Sequence, residues 1–223
     1  ELARPQSMGR VSGWGWSLGY VGGMLALGLS LGYVLWAQAR GLPAAHFVPV
    51  TMLITAVVFA VAAVFTFTLL RERAQANPQA LAQSGLRASL ARLRATWRQA
   101  RHYRDFMWLM GCAVAYQGGV AVAITLAAIY AEQVVGFAPQ ETMVLIFALN
   151  IAAALGAFAF GYGQDRVGHK RALAITLVGW IVTCVVAALS TTKGMFWYAA
   201  VIAGLCMGSS QSAGRAMAGL LAP

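Results

Sequence analysis

Negative charge and cysteine are both scarce in this sequence. The 223 residues include six Asp and Glu against sixteen Lys and Arg, and 10% of residues are charged while 60% are hydrophobic. Such a composition cannot supply the surface of an ordinary water-soluble domain. The cysteines form no Cys-x-x-Cys or Cys/His spacing, so we predict no metal site and no cofactor. They are Cys112, Cys184 and Cys206.

Catalytic groupings are also missing from the sequence. His46, His102 and His169 lie in predicted loops without an acidic or nucleophilic neighbour, so no hydrolase arrangement is visible. An enzyme embedded in a membrane is expected to carry clustered carboxylates or histidines at one membrane face. Because no such cluster is present, we predict that the chain is not an enzyme.

Long uncharged stretches, by contrast, are abundant. Six of them hold at least 21 residues each, and about 20 helical residues cross the hydrocarbon core of a bilayer. We therefore predict an all-α, polytopic membrane protein with six transmembrane helices and the lipid bilayer as a partner. The predicted spans are residues 14–38, 47–70, 106–131, 142–163, 172–192 and 194–214.

The basic residues between the spans indicate an orientation. Fourteen of the sixteen Lys and Arg residues fall in alternate loops, and the opposite side carries only Arg40 and Lys193. The positive-inside rule places the richer side, including both ends of the chain, in the cytoplasm. The net charge of +10 is thus explained by topology. We predict no nucleic-acid partner, because hardly any of the chain lies outside the membrane.

The longest inner loop, residues 71–105, divides into two parts. Residues 74–84 contain Asn77-Pro78 and are typical of a flexible linker. The remainder alternates apolar and basic residues at helical spacing, which predicts an amphipathic helix at the inner headgroup boundary. Recognition by a calmodulin-like protein is an alternative. The apolar residues are Leu86, Leu90, Leu93 and Trp97, and the basic residues are Arg87, Arg94, Arg98 and Arg101.

Small residues recur at four-residue intervals in several spans. Gly15, Gly19 and Gly23 form such a row in the first span. Small residues let helix backbones approach closely in lipid, where no hydrophobic force drives helices together. We therefore predict that this row packs against another helix. Similar rows in the fourth and sixth spans are Ala153, Ala157 and Gly161, and Gly204 and Gly208.

Residues 161–171 carry the most distinctive motif, Gly-x-x-x-Asp-Arg-x-Gly-x-Lys-Arg. Gly161 permits close approach of a neighbouring helix, Gly168 permits a tight reversal, and Asp165 offers an acceptor to free amides at a helix N-terminus. The motif resembles the signature loop of the major facilitator superfamily, which implies a conformational latch between two helix bundles. The matching residues are Gly161, Asp165, Arg166, Gly168, Lys170 and Arg171.

Other segments resemble one branch of that superfamily, the vacuole effluxer (autophagy-related) proteins and their bacterial relatives of unknown substrate. Residues 10–23 resemble the start of the fifth helix of that branch, residues 116–119 and 128–131 the seventh, and residues 208–215 the end of the tenth. The chain departs from the branch near Gly118, where many members carry a carboxylate. The resemblance runs across essentially the whole sequence.

This resemblance implies a domain organisation and a function. The chain is expected to be an internal piece of a twelve-helix protein of the bacterial inner membrane, with the missing helices of the same polypeptide as partners. Residues 1–70 would form the last two helices of the N-terminal bundle, 71–105 a cytoplasmic linker, and 106–223 the first four helices of the C-terminal bundle. The implied function is secondary active transport of a small polar solute by alternating access, possible substrates being amino acids and the direction efflux.

No acidic residue lies inside the predicted spans, so neutral polar residues are the candidates for a substrate pathway. An acidic residue at mid-membrane is costly and its presence would suggest function. Interhelical hydrogen bonding is an alternative role for the amides. We also predict that Asp165 docks at the start of the first span, around residues 10–13. A six-span scaffold or an enzyme subunit remains an alternative to a transporter. The pathway candidates are Gln117, Asn150, Tyr116 and Gln211.

Overall fold

The computed structural model describes residues 7–69 and 86–221. These residues form α-helices and no β-strand, which confirms the all-α prediction. The predicted linker at 74–84 and the basic residues Arg71 and Arg73 lie outside the described residues. The helices are α1 (Met8–Ala39), α2 (Ala44–Leu69), α3 (Leu86–Ala100), α4 (Arg104–Gln133), α5 (Pro139–Val167), α6 (His169–Ala188) and α7 (Lys193–Leu221).

Within residues 7–69 and 86–221, five helices are long and apolar enough to cross a membrane: α1, α2, α4, α5 and α6. They confirm a polytopic membrane protein. The sixth predicted span corresponds to α7, which is 29 residues long but does not reach the same apolarity. Its polar residues Ser209, Ser210 and Ser212 are at most 1% exposed. The helix predicted there is present and its serines are shielded by neighbouring helices, but its role as a sixth span stays a prediction.

The helices run in alternating directions, so that their ends gather at two faces. At the first, which we call the Asp165 face, the start of α1 meets the ends of α5 and α7. At the opposite Glu141 face, Gln140 Nε2 at the start of α5 donates to Gln38 Oε1 at the end of α1 over 3.2 Å. There Lys193 Nζ also lies 2.6 Å from Glu141 Oε2. This alternation agrees with the loop assignment made from charge.

Glycine and alanine allow α5 and α7 to pack backbone against backbone. A Cβ atom added to Gly204 would meet the Leu149 carbonyl oxygen at 2.5 Å, and one added to Gly208 would collide with the Ala153 carbonyl oxygen. Such distances leave no room for a side chain. The predicted small-residue rows of these two helices therefore lie in helix contacts, as the need for close approach in lipid requires.

The row predicted in α1 does not pack in this way. A Cβ atom added to Gly15, Gly19 or Gly23 would meet no atom within 4 Å, so this row faces no helix among the described residues and its packing stays a prediction. Gly13 instead faces α5, where an added Cβ would be 2.6 Å from the Ala157 carbonyl oxygen. Residues two positions apart in an α-helix differ by about 200° in direction, so Gly13 and Gly15 lie on opposite sides of α1.

The remaining helices are less enclosed. No residue of α2 is buried. The predicted amphipathic helix is present as α3, and its Leu90, Leu93 and Trp97 are 58%, 67% and 58% exposed. An apolar stripe is thus open on a helix whose other side is basic, which is the arrangement expected at a membrane surface.

Candidate conformational latch and substrate pathway

Asp165 lies in the last turn of α5, immediately before a sharp reversal of the chain. Gly168 ends α5 and precedes α6 directly, with a φ of 96°. Glycine adopts this left-handed region without steric cost. Its amide donates to the Gln164 carbonyl oxygen over 2.9 Å. The reversal predicted from the motif is therefore present, and it leaves Asp165 facing α1.

The Asp165 carboxylate accepts hydrogen bonds from the first turn of α1. The backbone amides of Gly9 and Arg10 donate to Oδ1 and Oδ2 over 3.0 and 3.2 Å. Arg10 Nε also donates to Oδ2 over 3.2 Å. The first amides of a helix lack intrahelical partners, and the helix dipole favours an anion there. Asp165 therefore docks at the start of α1, at Gly9 and Arg10, which overlaps the predicted range of 10–13 only at Arg10.

Two glycines on α1 make this approach possible. A Cβ atom at Gly9 would collide with Asp165 Oδ1 and lie 2.5 Å from Gln164 Cγ. One added to Gly161 would lie 3.1 Å from the Cα atom of Gly13. The carboxylate reaches the α1 amides only because Gly9, Gly13 and Gly161 leave space for the two backbones.

A buried polar junction lies beside Asp165, and Gln164 was missed by the sequence predictions. Gln164 is fully buried, and its Nε2 donates to Ser212 Oγ of α7 over 3.2 Å. Ser12 Oγ of α1 donates to the Ser212 carbonyl oxygen over 2.9 Å. Thus α1, α5 and α7 are joined at one point. The sequence held one signal for this role. Gln164 occupies an unspecified position of the motif, and a side-chain amide must find hydrogen-bond partners when it is buried.

The three basic residues of the motif point away from this junction. Arg166, Lys170 and Arg171 are all exposed at the Asp165 face. Their exposure fits contact with headgroups better than a direct part in the Asp165 junction. At this face Asp165 therefore joins two helices, whereas Arg166, Lys170 and Arg171 are open to the surroundings.

Three of the pathway candidates lie together between α4 and α7. Gln117 Nε2 donates to Gln211 Oε1 over 2.9 Å, and Gln211 Nε2 donates to Gln117 Oε1 over 3.0 Å. Tyr116 lies next to them, and its hydroxyl fills the space above Gly214. Each amide satisfies the other, which favours the alternative role of interhelical hydrogen bonding. A solute at this position would have to replace that pair.

Asn150 is apart from these three residues. Its Nδ2 donates to the Ile146 carbonyl oxygen in the preceding turn of α5 over 2.8 Å. The residue lines a cavity of about 520 Å³, open on one side, between α4, α5, α6 and α7. No group of three or more His, Cys, Asp or Glu residues within 7–69 and 86–221 has a geometry that holds a metal ion. The four candidates thus belong to two different places.

Known proteins resemble this chain along its whole length. A family model described as "Vacuole effluxer Atg22 like" matches residues 3–223. The chain is 26% identical over 226 residues to an "Uncharacterized MFS-type transporter YxiO" of Bacillus subtilis (strain 168), in an alignment that covers all of this chain and 52% of that protein. The chain therefore spans about half the length of the curated relative it matches.

No solved structure matches the chain. The family match includes α1 to α7 and the Asp165 motif. It also agrees with five helices suited to crossing a membrane. The resemblance found in the sequence is therefore confirmed, and the chain belongs to the vacuole effluxer Atg22-like family.

Proposed function

We propose that this chain is the central part of a secondary active transporter that works by alternating access. In this proposal α1 and α2 belong to the N-terminal bundle, residues 71–105 connect the bundles, and α4 to α7 belong to the C-terminal bundle. The observation that carries the proposal is the Asp165 carboxylate at the first turn of α1. It joins helices of the two bundles through groups that can separate and re-form.

The Asp165 face closes when the junction forms and opens when it breaks. In the closed state Asp165 caps α1, while Ser12 of α1 is held at the Ser212 carbonyl of α7. Both contacts tie α1 to the C-terminal bundle at the same level of the membrane. Rocking the bundles apart breaks them together and lets water replace each partner. Alternating access of this kind moves a solute past a site near the bilayer midplane.

Loop charge supports the cytoplasm as the compartment that the Asp165 face meets. Arg166, Lys170 and Arg171 are exposed there, as the positive-inside rule expects. In the bacterial inner membrane these residues contact anionic headgroups, and α3 lies along the same surface with its leucines in the lipid. Both ends of the chain are then cytoplasmic.

We propose a small polar solute as cargo, with amino acids as the leading class and efflux as the direction. The description of the matching family contains the word effluxer. The candidate contacts are neutral: the Gln117–Gln211 pair, Tyr116 beside it, and Asn150 on α5. An amide pair binds an amino or carboxylate group by exchanging one hydrogen bond for another. The pathway therefore selects by hydrogen bonding, since no charge of its own lies in the spans.

Transport is tested with the full-length protein reconstituted in liposomes. Uptake of radiolabelled amino acids is measured with and without a pH gradient, against protein-free liposomes. An Asp165→Ala variant is expected to transport more slowly, because the closed state has lost its junction, while remaining folded. If the wild-type protein is monodisperse and transports none of the amino acids, the proposed substrate class is wrong. If Asp165→Ala transports at the wild-type rate, the latch is wrong.

A further inference from the structure

The cavity lined by Asn150 also has polar residues of α6 in its wall. The cavity of about 520 Å³ is lined by α4, α5, α6 and α7, and neither α1 nor α2 contributes to it. It lies in the half of the bundle near the Glu141 face, where Tyr130 and Phe196 stack at 5.9 Å. Its lining therefore comes from one bundle only, and it includes Asn150, the pathway candidate that lies apart from the Gln117–Gln211 pair.

Two polar side chains of α6 lack partners at this cavity. Trp180 and Thr183 are 7% and 6% exposed, and both line the cavity. Neither the indole Nε1 of Trp180 nor the hydroxyl oxygen of Thr183 has a hydrogen-bond partner in the described part of the chain. They are three residues apart and so share one face of the helix. Buried donors are rarely left in this condition.

Thr183 also departs from the other buried threonine of α6. Thr176 donates its hydroxyl to the Leu173 carbonyl oxygen over 2.8 Å, as helical threonines commonly do. Thr183 makes no such bond. Its hydroxyl remains available to an acceptor outside its own helix. Together with the indole N–H, which can only donate, it defines a place for an acceptor atom.

The rest of the lining fixes the character of the ligand. Leu145, Leu149 and Phe196 surround the cavity, and none of its lining residues carries a formal charge. An ionic ligand would be desolvated there without a counter-charge. A carbonyl oxygen has two lone pairs and can accept from both donors at once. We propose that this cavity binds a neutral, apolar molecule carrying one carbonyl oxygen, with Trp180 and Thr183 as the donors.

Cys184 gives this site its own reporter, because it lines the same cavity. The full-length protein is prepared with Cys184 as its sole cysteine, and alkylation by N-ethylmaleimide is followed in proteoliposomes. The probes are acetophenone and α-methylstyrene, which share a shape and differ by C=O against C=CH2. The concentration of each probe is expressed as its concentration in the membrane, so that different partitioning does not affect the comparison. We expect acetophenone to halve the rate at about three- to tenfold lower concentration, as one or two hydrogen bonds imply.

The donors are then removed by substitutions that keep the shape of the cavity. In Trp180→Phe and Thr183→Val the advantage of acetophenone is expected to shrink, and in the double variant to disappear. A protein whose sole cysteine is Cys112, which does not line the cavity, controls for general effects of the probes and is expected to show no preference. Thermal unfolding of each variant verifies that it is folded.

Three results would overturn the proposal. Equal protection by the two probes in the wild-type cavity means that the donors are not used, for example because water holds them. A preference for acetophenone that persists in the folded Thr183→Val and Trp180→Phe variants means that other groups cause it. Absence of protection by either probe means that the cavity does not bind such molecules. Because no transport is measured, these results are independent of the proposed function.

Discussion

Removing the charge of Asp165 is expected to open the Asp165 face. The carboxylate is 9% exposed and accepts two backbone amides of α1. Hydrogen bonds to a charged group contribute about 1.5–3 kcal/mol, and Asp165→Asn keeps one acceptor. The ion pair adds little, because the Arg10 side chain is 49% exposed. We therefore expect Asp165→Asn to weaken the closed state by about 1.4–2 kcal/mol, or about 10- to 30-fold in its equilibrium.

Labelling of a buried cysteine measures this change. Ser212 is fully buried at the junction of α1, α5 and α7. In a cysteine-free, full-length background, Ser212→Cys is labelled from the Asp165 face by a membrane-impermeant maleimide. When opening is fast relative to labelling, the rate follows the population of the open state. Asp165→Asn is expected to raise that rate about 10- to 30-fold.

Glu141→Gln is the matched control. Glu141 lies on the same helix as Asp165, but its partner Lys193 belongs to α7 of the same bundle. Losing this bond does not affect the contact of α1 with α5 at the other face, so labelling of Ser212→Cys is expected to stay unchanged. Arg10→Gln is expected to raise the rate by less than about fivefold, as for an exposed ion pair. If Asp165→Asn and Glu141→Gln give equal rates, Asp165 does not hold the bundles together.

The other predictions concern packing, pairing and membrane contact. Gly13→Ala is expected to destabilise the closed state, because its Cβ would lie 2.6 Å from a carbonyl oxygen of α5. Gly15→Ala is expected to be neutral or stabilising, because its Cβ would meet no atom within 4 Å. Thermal unfolding and Ser212→Cys labelling measure the difference between the two variants, and equal effects would contradict the packing described for α1. A double-mutant cycle of Gln117→Leu and Gln211→Leu is expected to give a coupling energy of about 0.6–1.7 kcal/mol for their mutual hydrogen bonds. Unfolding in mixed detergent micelles measures this coupling energy. A value near zero would mean that the two amides act separately. A polarity-sensitive fluorophore on Leu93→Cys of α3 is expected to report a more apolar environment in anionic than in zwitterionic nanodiscs. This difference is expected to shrink in the double variant Arg94→Gln/Arg98→Gln, because the basic face of α3 carries less charge. The same signal in both lipids would argue against a membrane-surface helix.

The sequence allowed the spans and one long-range contact to be predicted. Charge-free stretches identified the helices because lipid excludes charge strongly. The docking of Asp165 at α1 followed from pairing a motif that resembles a superfamily signature loop with a helix start whose amides need acceptors. Both predictions depend on strong, local physical constraints. The part of the chain that the structure describes contains five of the six predicted apolar spans and the Gly9–Asp165 hydrogen bond.

Other features depended on the relative rotation of helices, which the sequence does not fix. Helix α1 has glycines on opposite sides, and only Gly9 and Gly13 meet α5. Lipid is as apolar as the helix interior, so hydrophobicity cannot distinguish the two sides. The role of Gln164 was missed for the same reason. Its partner Ser212 lies 48 residues away, and only the packing of α5 on α7 brings the two together.

The ties between α1 and α5 are unequal at the two ends of this helix pair. One end is held by an anion on backbone amides, and the carboxylate of Asp165 there is 9% exposed. At the other end, an exposed hydrogen bond joins the neutral side chains of Gln140 and Gln38. A neutral, solvated bond is the weaker of the two. We therefore expect thermal motion to separate the pair at Gln38 first, with the stronger end as the pivot about which the gap widens.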